Sequence, residues 1–122
     1  MITTHRVRRA IAIVLFAAFV SACTTEDIIR VTFANRGASP AVQEQAIRVA
    51  RCESTLRPDA ISPGGGNWGL FQINTVHRPR VEAMGHPWQN MLTPLANADV
   101  ASVIWAEQGW RPWTCARKLG IR

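Results

Sequence analysis

At 122 residues, with 48% hydrophobic residues and a formal net charge of +6, the chain has room for one domain and for only a small core. Three arginines and no acid fall within residues 1–22, so the remainder carries 11 basic and 8 acidic side chains, a formal +3. That balance suits an anionic wall or membrane surface, whereas no Lys/Arg cluster interleaved with aromatics marks a nucleic-acid interface, and none is expected as a partner.

Arg6, Arg8 and Arg9 precede an uncharged run from Ala10 to Val20, short for a bilayer span but suited to the apolar region of an export signal over residues 1–22. Val20-Ser21-Ala22-Cys23 resembles a lipobox, which makes Cys23 the lipid-bearing residue of an envelope-anchored protein. Ordinary cleavage nearby, with Cys23 incidental, or an uncleaved anchor are the alternatives. Each puts the product outside the cytoplasm. Setting Cys23 aside leaves Cys52 and Cys115 as an even pair, and a disulfide between them is expected. Closing a loop of about 60 residues would contribute about 4 kcal/mol in an oxidising compartment. His5, His77 and His86 lack zinc-ligand spacing with these cysteines, so neither a metal nor another cofactor is expected.

From Thr24 to Ala38, mixed charges, a β-branched run at Ile28 to Thr32 and Gly37 read as a tether or a single early strand, which places the folded domain at 39–122. Ser39-Pro40 then supplies an N-cap and a first-turn proline for a helix reaching about Glu53. Leu56 to Asn67 is loop. Trp68 to Ile73 has strand composition, and Asn74 or Thr75 caps a short helix bounded by Pro79 and Gly85. Thr93-Pro94 repeats the cap-then-proline device before Leu95 to Trp105, so apolar that the helix must be buried on most sides. The chain therefore reads as mainly α with a minor β element.

Glu53 is the candidate that carries chemistry. Val49, Ala46 and Val42 precede it by four, seven and eleven residues, one face of a 3.6-residue period, so Glu53 prolongs an apolar stripe. A carboxyl placed there is partly desolvated and its pKa rises, as a general acid requires. Pairing with Arg51 or Arg57 in solvent is the competing reading. Asp59, Asp99 and Glu107 are the candidates for a second carboxylate, and none has an identifying spacing.

Glu53-Ser54-x-x-x-Pro58-x-Ala60-x-Ser62-x-Gly64, followed by Gly69-Leu70-Phe71-Gln72-Ile73, resembles the signature of the soluble lytic transglycosylases. Ala50 to Ser54, together with Gln108 to Cys115, is similar to the resuscitation-promoting-factor domain. The two resemblances cover residues 42 to 118. They imply a lysozyme-like α+β fold with a short β-hairpin region bordering a substrate cleft, Glu53 as the catalytic acid, and a Cys52–Cys115 bridge. The implied reaction is cleavage of the MurNAc–GlcNAc β-1,4 bond of peptidoglycan by a monomer, with the substrate's own C6 hydroxyl attacking and a 1,6-anhydro end left behind. A muramidase using water at the same glutamate, and a wall-binding lipoprotein without activity, are the rival readings. By the same resemblance Ser62 orients the substrate's N-acetyl group or the reacting acid, with a turn-forming Ser-Pro as the alternative, Gln72 contacts sugar or supports Glu53, and Asn97 makes an inward structural hydrogen bond. Phe71 stands where the family has methionine, and Gly64 to Trp68 lengthen the loop. Among the five tryptophans, Trp68 and Trp88 are the cleft candidates, Trp105 is assigned to the core, and Trp110 and Trp113 to packing around the bridge.

Overall fold

The computed structural model describes residues 23–122, so the expected export signal over 1–22 lies outside the described residues. The order of elements is α1 (Thr25–Asn35), α2 (Pro40–Ser54), β1 (Asn67–Trp68), β2 (Ile73–Asn74), a 3-10 turn (Thr75–His77), α3 (Arg78–Ala83), a second 3-10 turn (Trp88–Leu92), α4 (Pro94–Gln108) and α5 (Thr114–Lys118). This is the mainly helical, lysozyme-like α+β architecture expected. No helix among the described residues is long and apolar enough to cross a membrane.

The segment read as a tether or strand is instead helix α1. Thr24 and Asp27 form a reciprocal capping box, Thr24 Oγ1 accepting from the Asp27 N–H at 3.1 Å and an Asp27 carboxylate oxygen accepting from the Thr24 N–H at 3.1 Å. Ile29 and Phe33, one turn apart, are wholly buried in the common core. Phe33 touches three aromatic rings, with centroid separations of 5.5 Å to Phe71, 5.9 Å to Trp105 and 5.8 Å to Trp110. Tertiary burial thus outweighs the β-branched run, which costs a helix only tenths of a kcal/mol per residue, roughly. Arg30–Glu44 at 2.8 Å and Arg51–Glu26 at 2.7 Å also join α1 to α2, but these exposed pairs contribute about 1 kcal/mol or less.

Helix α2 begins as expected, with Ser39 Oγ accepting from the Val42 N–H and Pro40 in the first turn. It buries Ala46, Ile47, Val49 and Ala50. Before α4, by contrast, the proline does its work while the Thr93 hydroxyl donates to the Asn90 carbonyl and caps nothing. Helix α4 runs through the centre, burying residues on every side, among them Ala98, Val100, Ala101 and Ile104. Asn74 Oδ1 caps the following turn by accepting from the Val76 N–H at 2.9 Å.

The strands pair antiparallel with Asn67 opposite Asn74 and Trp68 opposite Ile73, and Ile61 bridges to Trp68 on the outer side. So small a sheet is not stable alone. Its attachment is the side chain of Asn97, wholly buried in α4, whose Nδ2 donates to the carbonyls of Trp68 and Met91, each at 2.9 Å, and whose Oδ1 accepts from the Phe71 N–H at 2.9 Å. The inward structural role read for Asn97 is therefore the one it has.

Because α1 is part of the core, Phe33→Ala is expected to lower stability by about 3–5 kcal/mol in a urea titration. A change within about 0.5 kcal/mol would restore the tether reading.

Candidate active site

Glu53 lies in the last turn of α2, where the chain leaves the helix through two non-glycine residues in the left-handed region, Thr55 at φ 54° and Leu56 at φ 58°. The disulfide Cys52–Cys115, with Cα atoms 5.9 Å apart, ties this end of α2 to the first turn of α5. Consequently the Cys115 N–H donates to Glu53 Oε1 at 3.4 Å, a long and weak bond. Burial raises the Glu53 pKa above the ordinary glutamate value, outweighing the opposite pull of that N–H and of Lys118. The competing arrangement in solvent is not adopted. Arg51 pairs with Glu26, Arg57 Nε donates to the Ser54 carbonyl, and among the described residues no base lies within 4 Å of Glu53.

Glu53 faces a cleft of about 250 Å³ whose wall includes Asn67, Gln72, Asn74, His77, Trp113 and Thr114. The hairpin forms one side. Asn74 Nδ2 donates to Asn67 Oδ1 at 3.0 Å, so an amide pair from β1 and β2 is presented to the cavity. Gln72 sits at φ 50°, a conformation costly for a residue other than glycine. It is held by its own Nε2, which donates to the carbonyls of Gly69 at 3.0 Å and Ala60 at 3.2 Å. His77 closes the far wall, and its pKa is lowered by burial first and by Arg80 second, which favours a neutral imidazole.

Not every expected site residue reaches this cavity. The Ser62 hydroxyl accepts from the Asn67 N–H at 3.0 Å and from Asn67 Nδ2 at 3.4 Å, closing the Gly64–Gly66 loop behind the hairpin, and Ser62 is not part of the cleft wall. Trp88 is buried in the core, against Trp68 at 5.5 Å, so no face of it is offered to a sugar. Trp68 is half-buried, its Nε1 donating to the Gly65 carbonyl at 2.9 Å, and it too stands off the cleft wall. The tryptophan that does line the cleft is Trp113, read from sequence as packing around the bridge. It is buried, its Nε1 donates to the Phe71 carbonyl at 3.0 Å, and its ring meets Trp110 edge-on at 5.3 Å. Trp105 is half-buried and packs against the core.

The candidate second carboxylates are all elsewhere. Asp99 is bound by Arg36 at 2.9 Å and His86 at 2.8 Å, Glu107 pairs with Arg80, and Asp59 is exposed in its loop. Among the described residues Glu53 is the one acid in the cleft wall. No group of three or more His, Cys, Asp or Glu side chains with metal-binding geometry occurs among them either.

A helical domain with a small hairpin thus encloses a polar groove with one partly desolvated glutamate in its wall. The family model for the lysozyme-like domain matches residues 30–115, and the chain belongs to that family. At family level this makes it a domain acting on peptidoglycan, outside the cytoplasm. No curated protein and no solved structure gives a significant match.

Two outcomes follow from this geometry. A Cβ at Gly69, φ 78°, would overlap the Met91 carbonyl and Asn97 Nδ2, so Gly69→Ala should cost about 3 kcal/mol in urea unfolding. Glu53 has a raised folded-state pKa, so its contribution is most favourable at low pH and is lost as pH rises through that value. Glu53→Gln should therefore match the parent's Tm at about pH 3.5 and exceed it at about pH 8. A Tm difference independent of pH would contradict the desolvated state of Glu53.

Proposed function

We propose that the protein is a peptidoglycan lytic transglycosylase in which Glu53 acts alone. The observation that carries this reading is the inventory of the cleft: one partly desolvated carboxyl, with Asp59, Asp99 and Glu107 all outside it. Ordinary glycoside hydrolysis needs a second carboxylate across the scissile bond as nucleophile or as base for water. A transglycosylase does not. Glu53, its pKa raised by burial, gives its proton to the glycosidic oxygen as the bond from muramic C1 to that oxygen breaks. The C6 hydroxyl of the same sugar then bonds to C1 and returns its proton to Glu53, giving the 1,6-anhydro end.

The amide pair of Asn67 and Asn74, together with Gln72, provides donors and acceptors for N-acetyl and hydroxyl groups, and Trp113 provides an apolar wall. No cofactor enters the scheme. Envelope anchoring would run through Cys23, which is exposed and immediately precedes the Thr24 cap of α1. With α1 part of the domain, a lipid on Cys23 would hold the domain close to the membrane without an intervening tether.

Digestion of purified sacculi by the oxidised protein tests the reading. Soluble fragments are expected whose muramic ends are lighter by one water than hydrolytic products. Release should fall roughly 10²- to 10⁴-fold in Glu53→Gln. In the parent protein it should decline as pH rises through the raised pKa of Glu53, since the acid form is the reactive one. Hydrated ends would favour the muramidase, and binding without release by either protein would favour the wall-binding lipoprotein.

A further inference from the structure

Charge is distributed unevenly over the surface in a way that neither the fold nor the cleft chemistry requires. Of the 8 acids in residues 23–122, six lie within 4 Å of an arginine: Glu26, Asp27, Glu44, Glu82, Asp99 and Glu107. These engage Arg30, Arg36, Arg51, Arg78 and Arg80. Arg48, Arg57, Arg111, Arg117, Lys118 and Arg122 have no carboxylate within that distance among the described residues.

All six belong to the two segments that the Cys52–Cys115 bridge joins. Arg48 precedes Cys52 by one helical turn and shares its face. Arg57 follows the same helix and bonds the Ser54 carbonyl. On the other side Arg117 donates to the Arg111 carbonyl at 2.8 Å, and Lys118 is near enough to Glu53 to oppose the rise in its pKa. The Ile121 N–H bonds back to the Ala116 carbonyl, which holds Arg122 beside α5. These unpaired cations lie on two segments held together by the bridge, so their positive charges act together on an approaching ligand. An anionic ligand would supply the counter-charges they lack.

We propose that this basic surface is a binding site for the carboxylate-bearing peptide branches of the glycan that occupies the cleft. The proposal rests on the reading of the cleft as a peptidoglycan site. Continuity selects this occupant. Thr114, in the same short helix as Arg117 and Lys118, is part of the cleft wall, so the basic segment starts at the cleft itself, next to where substituents of a bound strand would emerge. Those substituents carry more carboxylates than amines, whereas the N-acetylated sugars themselves are neutral. An anionic membrane seated on the same surface would cover the mouth of the cleft, which makes lipid headgroups the poorer match.

The test uses Glu53→Gln protein with its disulfide formed, so that binding is read without turnover. Glycan strands with intact peptides are compared with the same strands stripped by an amidase, both freed of attached anionic polymer. Peptide-bearing strands should bind about tenfold more tightly, and the difference should vanish at roughly 0.5 M salt. Adding Arg48→Gln, Arg111→Gln and Arg122→Gln should abolish the preference while leaving stripped-strand binding unchanged, and the corresponding Arg→Lys triple variant should restore it. Equal binding of the two strand types, a preference that survives the glutamine triple variant, or binding to neither strand overturns the proposal. So does charge-dependent binding of phosphatidylglycerol vesicles without any peptide preference. If peptide preference is found but the parent protein releases no fragments from sacculi, the catalytic reading fails and the binding site stands.

Discussion

The side chain of Asn97 is the point on which the two halves of the molecule depend. A buried amide is costly unless its hydrogen bonds are made, and three of them here go to backbone groups of segments with little other support: Trp68 at the start of the hairpin, Phe71 within it, and Met91 in the second 3-10 turn. Gly69 completes the junction, because the hairpin approaches α4 so closely that no side chain fits there. Two strands of two residues each are held as one wall by this means. The cleft exists because that wall is held at a fixed distance from α2.

On the opposite wall the constraint is covalent. The Cys52–Cys115 bridge, closing a loop across 63 positions of sequence, brings α5 to the end of α2 and places both a backbone N–H and Lys118 near Glu53. Burial raises the pKa of this carboxyl, and the Cys115 N–H and the charge of Lys118 pull it the other way. The same bridge gathers the unpaired basic side chains, so acid strength and surface charge share one structural origin.

Much of the site could be read along the chain because it is locally encoded. The stripe Val42, Ala46, Val49 leading to Glu53, the Ser39-Pro40 start and the even cysteine pair each follow from spacing within one element or from simple pairing. Helix α1 could not be read so easily, since Ile28 to Thr32 has strand composition and the helix is justified by the distant rings of Phe71, Trp105 and Trp110 around Phe33. A local signal was nevertheless present: Thr24 and Asp27 have the spacing of a capping box. The tryptophans show the limit most clearly. Trp88 and Trp113 are both indoles in polar surroundings of the sequence, yet one is enclosed beneath Trp68 while the other lines the cleft, a difference fixed by which backbone each ring meets. His77, too, reaches the cleft only because the turn capped by Asn74 follows the hairpin directly.

Under the proposed function, a cleft with a single carboxyl completes the reaction with the substrate's own hydroxyl and without water. Digestion of sacculi in heavy-oxygen water tests this most directly, because the isotope enters a new muramic end only if water attacks C1. Newly formed ends are expected to carry no label while strand cleavage proceeds. One labelled oxygen per bond broken would contradict this expectation and would require a water activated within the cleft.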